Sequence, residues 1–360
     1  MRKWGSLLLA TVLWVSPLTA CSSRSGQTGQ TGQATNTAGN PQSQSRLDTI
    51  VSRGKLICGV SGQLPGFSFV DEKGKYSGLD VDICRAIATA LFDDPEKVEY
   101  RNLNAKERFT ALQSGEIDVL SRNTTWTLSR DSSLGLDFAP VVFYDGQGMM
   151  VKKNSGIKTF KDFEGKSVCV QTGTTNEQNL ADQMRKLSVK YTPVVFEDVN
   201  ATFAAYQEGR CQGVTTDRSQ LVSKRITLPQ ADDNILLPDV ISKEPLAPAV
   251  NNRDSKWASA VRWIVYATME AEELSLNSGN IDQIATTTTD PNVKRLLGKE
   301  GDLGKGLGLS PDFGYRIIKK VGNYGEIYDR NLGPKTALKL DRGLNRLWKD
   351  GGLLYPPPFR

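Results

Sequence analysis

From residue 46 onward the apolar positions alternate between two periods. Short apolar runs at 56–60, 98–103 and 119–123 have the length of buried strands. Between them, residues 81–92 place Ile83, Ile87 and Leu91 on one face at fourfold spacing, and a second helical segment spans 105–113. Lys73-Gly74 marks a turn inside a polar hairpin. Strand, helix, strand order predicts a parallel sheet. The alternation restarts after Met150, with strands at 167–171, 193–197 and 212–216 and helices at 175–186 and 201–207. Two α/β lobes follow. Gly146 and Gly148 mark the passage between them, and Pro245 and Pro248 flank Leu246-Ala247 where the chain can return to the first lobe. A helix at 255–274 then carries Trp257, Val261, Val265 and Thr268 on its face, and further helices are expected at 313–320 and 338–349. The expected organisation is 46–146 for the first part of lobe 1, 147–244 for lobe 2, and 245–360 for the rest of lobe 1 with a C-terminal helical extension. The pattern assigns that extension no role.

The first 45 residues have a different grammar. Arg2 and Lys3 precede an apolar run at 7–15, and Leu18-Thr19-Ala20 stand before Cys21. The run is too short for a permanent membrane span, and its flanks are those of a cleaved signal peptide covering 1–20. The residues before Cys21 resemble the lipobox of bacterial lipoproteins, so Cys21 is expected to carry a lipid. Residues 22–45 contain no large apolar side chain and cannot bury enough surface to fold. As a lipidated flexible tether, 21–45 would span roughly 25 to 30 Å. The expected location is periplasmic or otherwise extracytoplasmic, with contact to the membrane through the lipid anchor only.

Composition narrows the chemistry. The full sequence carries a formal charge of +5, and removal of Arg2 and Lys3 leaves 43 basic and 40 acidic residues, too weak and dispersed a balance for a nucleic-acid partner. Histidine is absent, which excludes His-based acid/base catalysis, Ser/His/Asp triads and nearly all zinc chemistry. No metal or cofactor is implied. Cys58, Cys84, Cys169 and Cys211 are an even number in an exported chain, without CxxC spacing, which points to disulfides. Three pairings are open. The adjacent pairs are preferred because each falls within one α/β unit, and they would be worth about 3.5 and 4 kcal/mol by loop-closure entropy.

Three polar segments lie at the carboxyl ends of expected strands, where open α/β sheets hold their ligands. They are Arg122-Asn123-Thr124-Thr125-Trp126-Thr127-Leu128-Ser129-Arg130, then Gln171-Thr172-Gly173-Thr174-Thr175 opening a helix whose free N–H groups favour an anion, then Thr215-Thr216-Asp217. A bidentate cation, hydroxyls with helix-start amides and a carboxylate together suit a zwitterion.

At about residues 47–275 the chain resembles family 3 of the bacterial extracellular solute-binding proteins, the polar amino-acid receptors of ABC importers. The resemblance rests on Gly78-Leu79-Asp80-Val81-Asp82, Ser114-Gly115-Glu116-Ile117-Asp118, the Thr-rich segment ending in Arg130, Asp137-Phe138-Ala139-Pro140, Gly173-Thr174-Thr175 and Asp217, in this order. Cys58-Gly59-Val60, Leu64-Pro65-Gly66-Phe67 and the long C-terminal extension are similar to the general L-amino-acid-binding branch. The resemblance implies a two-lobed periplasmic binding protein of type II, a Venus flytrap with two hinge crossings. It also implies a monomer that captures L-amino acids and delivers them to an ABC transporter membrane permease.

By the same resemblance, Arg130 would fork onto the ligand α-carboxylate, Thr125 and Thr175 would assist it, and Asp217 would take the α-ammonium. Asn123, Thr174, Arg122 and Ser61 complete the candidate site. Plainer alternatives stand beside these roles: Arg130 pairing with Asp131 at the surface, Asp217 capping the next helix, the threonines capping and turning, and Trp126 serving the core. Receptors for Lys, Arg and His carry an acidic residue in place of Ser61, a tyrosine in place of Leu64 and an aromatic in place of Ala105, so a dedicated cation site is not expected. Arg122 facing the pocket would favour Glu, Gln, Asp or Asn; facing away, it is a solvated charge or an ion pair. Two rivals use the same fold: a cyclohexadienyl or arogenate dehydratase-like enzyme, whose general acid nothing in the sequence singles out, and a ligand-sensing module.

Overall fold

The computed structural model describes residues 45–360; the expected signal peptide, Cys21 and all but the last residue of the expected tether lie outside the described residues. Two five-stranded sheets organise the fold. The first has the order Val98–Asn102, Leu56–Val60, Val119–Leu120, Ala249–Asn251, Leu136–Phe138, and the second Thr192–Phe196, Ser167–Gln171, Gly213–Asp217, Gln147–Lys152, Asn234–Leu236. The first three strands of each are mutually parallel, as strand, helix, strand order dictates, and the remaining contacts are antiparallel. Between the sheets, Phe143–Asp145 and Glu244–Leu246 form an antiparallel ribbon with Glu244 opposite Asp145. This ribbon carries the chain out to the second sheet and back, which gives the protein two lobes with two crossings between them.

Apolar spacing accounts for most of the elements. Leu79–Phe92 and Ser255–Glu273 pack on each other and on Phe313–Lys320, with Ile83, Ile87, Trp257, Val261 and Val265 all buried. The Trp257 indole N–H donates to the Asp118 carbonyl at 2.9 Å. Asp118 itself is buried and accepts from the Ile57 N–H at 2.7 Å, from Arg46 Nε at 2.7 Å and from Arg53, which moors the helix Arg46–Arg53 to the first lobe. The disulfides join Cys58 to Cys84 and Cys169 to Cys211, the adjacent pairs, with Cα separations of 6.4 and 5.6 Å. Each bond stays within one lobe and leaves the hinge free.

The C-terminal extension departs from expectation. Residues 338–349 form no α-helix; they hold only the 3₁₀ turns Gly343–Asn345 and Trp348–Asp350. Their leucines have helix-like spacing, but Lys339 and Gly343 adopt positive φ and break the repeat. Leu338, Leu347 and Leu354 dock instead into the first-lobe core. Short helices at Ile281–Thr287, Pro291–Leu296, Leu303–Leu307 and Tyr324–Asn331 complete the extension. Its far end grips the outgoing hinge strand: Asn345 accepts from the Tyr144 N–H at 2.6 Å and donates to the Tyr144 carbonyl at 3.2 Å. The Tyr324 hydroxyl donates to the Val142 carbonyl at 2.6 Å. Among the described residues no helix is long and apolar enough to cross a membrane.

Candidate functional site

The carboxyl ends of both sheets meet across the cleft beside the hinge ribbon. Arg130 reaches the first-lobe side from the short helix Leu128–Ser132, which Thr127 caps by accepting from the Arg130 N–H. Its guanidinium donates to the Thr125 carbonyl at 2.8 Å and lies 5.1 Å from the Phe109 ring centre. Burial lowers its pKa to about 10, opposed by the charges of Glu244 and Asp217. Arg122 is buried and donates from Nε to the Leu103 carbonyl at 2.8 Å. Its pKa falls to about 10 through burial, with Asp80 as the first opposing charge.

Asp217 closes the strand Gly213–Asp217 on the second lobe and is 3 % exposed. It occupies the cap position of the helix Arg218–Arg225 but makes no capping hydrogen bond; its carboxylate accepts from Asn176 Nδ2 at 2.8 Å. Burial, then the negative charges of Asp145 and Glu244, push its pKa well above the usual carboxylate range. Thr174 spends its hydroxyl on structure, capping the helix Thr175–Leu187 through the Glu177 N–H and donating to the Gln171 carbonyl. The first-turn N–H groups of that helix have no partner within it.

The lobes are closed on one another. Asn123, held at φ 30° with its N–H on Asp80, donates to Gln220 of the second lobe at 3.2 Å. Thr125 and Thr175 hydroxyls stand 3.4 Å apart, the Ser223 hydroxyl donates to the Pro65 carbonyl at 2.7 Å, and Lys106 pairs with Glu197 at 2.7 Å. Gly173, at φ 73°, abuts the backbone of residues 105 and 106; a Cβ there would stand 3.2 Å from the Lys106 Cα. Ser61 is buried and donates its backbone N–H to Ser68. Trp126 is not a buried core residue: it is 43 % exposed, stacks on Phe138 and donates to Asp131. That bond occupies the carboxylate that was the surface alternative for Arg130.

The bacterial extracellular solute-binding proteins, family 3, match this chain by their family profile over residues 56–352. The chain belongs to that family. It is 50 % identical over 320 residues to the general L-amino acid-binding periplasmic protein AapJ of Rhizobium johnstonii, covering 88 % of this chain and 94 % of that one. It is 49 % identical over 318 residues to the glutamate/glutamine/aspartate/asparagine-binding protein BztA of Rhodobacter capsulatus, with the same shares. A periplasmic binding protein from Brucella ovis, solved with glutathione bound, superposes with a TM-score of 0.85 at 50 % identity, over 88 % of this chain and 99 % of that one. These are transport components that bind solutes, so the dehydratase alternative falls away.

Family 3 membership does not by itself reveal the remaining charged groups of the cleft. Arg108, on the helix Arg108–Ser114, is 3 % exposed, and its guanidinium donates only to the Arg122 carbonyl at 3.4 Å and the Thr124 hydroxyl at 3.3 Å, with Nε unpartnered. Burial and the charges of Arg130 and Arg122 hold its pKa well below the usual value. Glu244, on the returning hinge strand, is 1 % exposed and accepts from both Thr125 and Thr175. Asp145, opposite it, accepts from the Gly146 and Ser219 N–H groups and the Ser219 hydroxyl, and burial raises its pKa to about 6. Arg108 was hidden within a helix-forming stretch, and Glu244 within the polar run Ser242-Lys243-Glu244, which reads as a loop.

Proposed function

We propose that this protein is an extracytoplasmic receptor that traps L-amino acids by hinge closure and passes them to the permease of an ABC importer. One observation carries the reading. Arg130 on one lobe and Asp217 on the other are both buried at the cleft, and among the described residues neither lies within 4 Å of an opposite charge. Buried charges are ordinarily paired, and a zwitterion with its carboxylate on Arg130 and its ammonium on Asp217 would pair both. Thr125, Thr175 and the first-turn amides would surround the same end of the ligand, with Asn123, Ser61 and Thr174 at its border. Arg108, which meets no carboxylate among the described residues, is the candidate reader of an acidic or amide side chain; Arg122, already donating to Leu103, stands behind it. The ligand class is then Glu, Gln, Asp and Asn, in keeping with the name of the Rhodobacter relative.

The receptor would act as a single chain, held to its membrane by the lipid on Cys21 and free to reorient on the 21–45 tether. Lobe 1 would comprise 46–146 and 245–360, and lobe 2 residues 147–244. Calorimetric titration of the mature protein with these four L-amino acids and their D-enantiomers tests the reading, with saturable heat for the L-forms as the expected result. No heat from any of them would remove amino-acid capture. Cys21→Ser should move the protein from the membrane to the soluble fraction, and retention there would count against the anchor.

A further inference from the structure

Glu244 occupies a junction of three bodies. One carboxylate oxygen accepts from the Thr125 hydroxyl of the first lobe at 2.6 Å and from the Thr175 hydroxyl of the second at 2.8 Å. The other accepts from Asn179 Nδ2, one turn along the same second-lobe helix, at 2.8 Å, and from the Ser242 hydroxyl at 2.6 Å. These four donors fill the accepting capacity of an ionised carboxylate. A glutamine could not reproduce the arrangement, because its NH₂ would confront two donors.

A hydroxyl has one hydrogen. With both threonine hydrogens committed to Glu244, the two oxygens, 3.4 Å apart, present only lone pairs to anything entering the cleft. Glu244 also contributes to the field felt by Arg130 and by Asp217. We propose that Glu244 is a positioning residue of the ligand site: it ties the two lobes together in the closed form and fixes the Thr125 and Thr175 hydroxyls as acceptors for the ligand's ammonium. The proposal rests on the amino-acid reading above and reassigns both hydroxyls, which the resemblance had given to the carboxylate. It also gives the hinge a direct contact with the binding event, since the strand that carries Glu244 is one of the two crossings.

The test compares L-glutamate with L-2-hydroxyglutarate, which replaces the ammonium by a hydroxyl, on wild type, Glu244→Gln and Arg130→Ala, by calorimetry and ligand-observed NMR. In Glu244→Gln a threonine can satisfy the new NH₂ only by turning its own hydrogen away, toward the ligand. The expected result is a loss of about tenfold or more for glutamate, equal to about 1.4 kcal/mol, with the hydroxy acid unchanged within about twofold. Equal losses for both ligands, or none for either, would overturn the role of Glu244. If Glu244→Gln does not fold, Thr175→Val carries the same comparison, because it removes one of the oriented hydroxyls while keeping its shape. Arg130→Ala separates the two ideas: wild-type glutamate affinity in that variant sinks the amino-acid site itself, whereas its loss beside an indifferent Glu244→Gln sinks only the positioning role.

Discussion

The two halves of the cleft carry opposite charge, and neither neutralises itself. The first lobe presents Arg108, Arg122 and Arg130, all buried, with Asp80 set among them; the second lobe and the hinge ribbon present Asp217, Asp145 and Glu244. Burial lowers all three arginine pKa values, joined by like-charge repulsion at Arg108 and Arg122, and burial with repulsion raises those of Asp145 and Asp217. Open, both faces are hydrated. Closed, Arg130 and Asp217 still lack an opposite charge within 4 Å among the described residues. On the proposed reading, a zwitterion between them would offset the desolvation on both sides, so the free energy of closure would depend on the ligand.

Breaking either half should therefore have the largest effect. Arg130→Ala and Asp217→Ala are each expected to cost about 2 to 5 kcal/mol of binding, because each strands a buried ligand charge. Calorimetry with L-glutamate reads this directly, and a variant within twofold of wild type would take that residue out of the site. The raised pKa of Asp217 gives the anionic half a pH signature. Protons compete with the ligand ammonium for this carboxylate, so affinity should weaken as pH falls through a window above the ordinary aspartate range, and Asp217→Asn should lose that dependence.

The cationic half has its own titration. Burial raises the Asp80 pKa to about 6, against roughly 3.9 in an unfolded chain. Between those values the folded protein holds more protons than the unfolded one, so this group's contribution to stability falls as pH rises from about 4 to about 6. Asp80→Asn lacks that loss. Relative to wild type it should gain up to about 3 kcal/mol between pH 4 and pH 7 in urea unfolding; a constant difference would show that Asp80 ionises normally.

The lobes differ in their hold on the hinge as well. The extension grips the strand Phe143–Asp145 through Asn345 and Tyr324 from the first-lobe side. Asn345→Ala removes two hydrogen bonds to the Tyr144 backbone and should cost about 1 to 3 kcal/mol of stability. The smallest effect is expected at the rim, where the exposed pair of Lys106 and Glu197 bridges the cleft. Lys106→Ala should change ligand affinity by less than about fivefold, and the change should vanish in high salt.

What could be read from the chain follows the range of the forces involved. The strands Leu56–Val60 and Ser167–Gln171 fall where the apolar runs place them, because burial of a short strand is written in consecutive residues. Arg130 and Asp217 could be singled out as candidates because strand ends with polar tails are where such sheets hold ligands, and the structure buries both. Glu244 could not: its burial arises only when two segments about 100 residues apart pair as a ribbon and both lobes close over it. Arg108 shares a helix with Ala111 and Leu112, and nothing in its local spacing distinguishes a buried guanidinium from a solvated one. Residues 338–349 imitate a helix in their leucine spacing, while the backbone at Lys339 and Gly343 follows tertiary docking instead.

The link between charge and closure can be tested by solution X-ray scattering of the mature protein and of Asp217→Asn, each with and without L-glutamate. The account predicts that the ligand reduces the radius of gyration of wild type and leaves Asp217→Asn unchanged at the same concentration. A wild-type radius unaltered by ligand that calorimetry shows to be bound would contradict closure of the two oppositely charged halves around it.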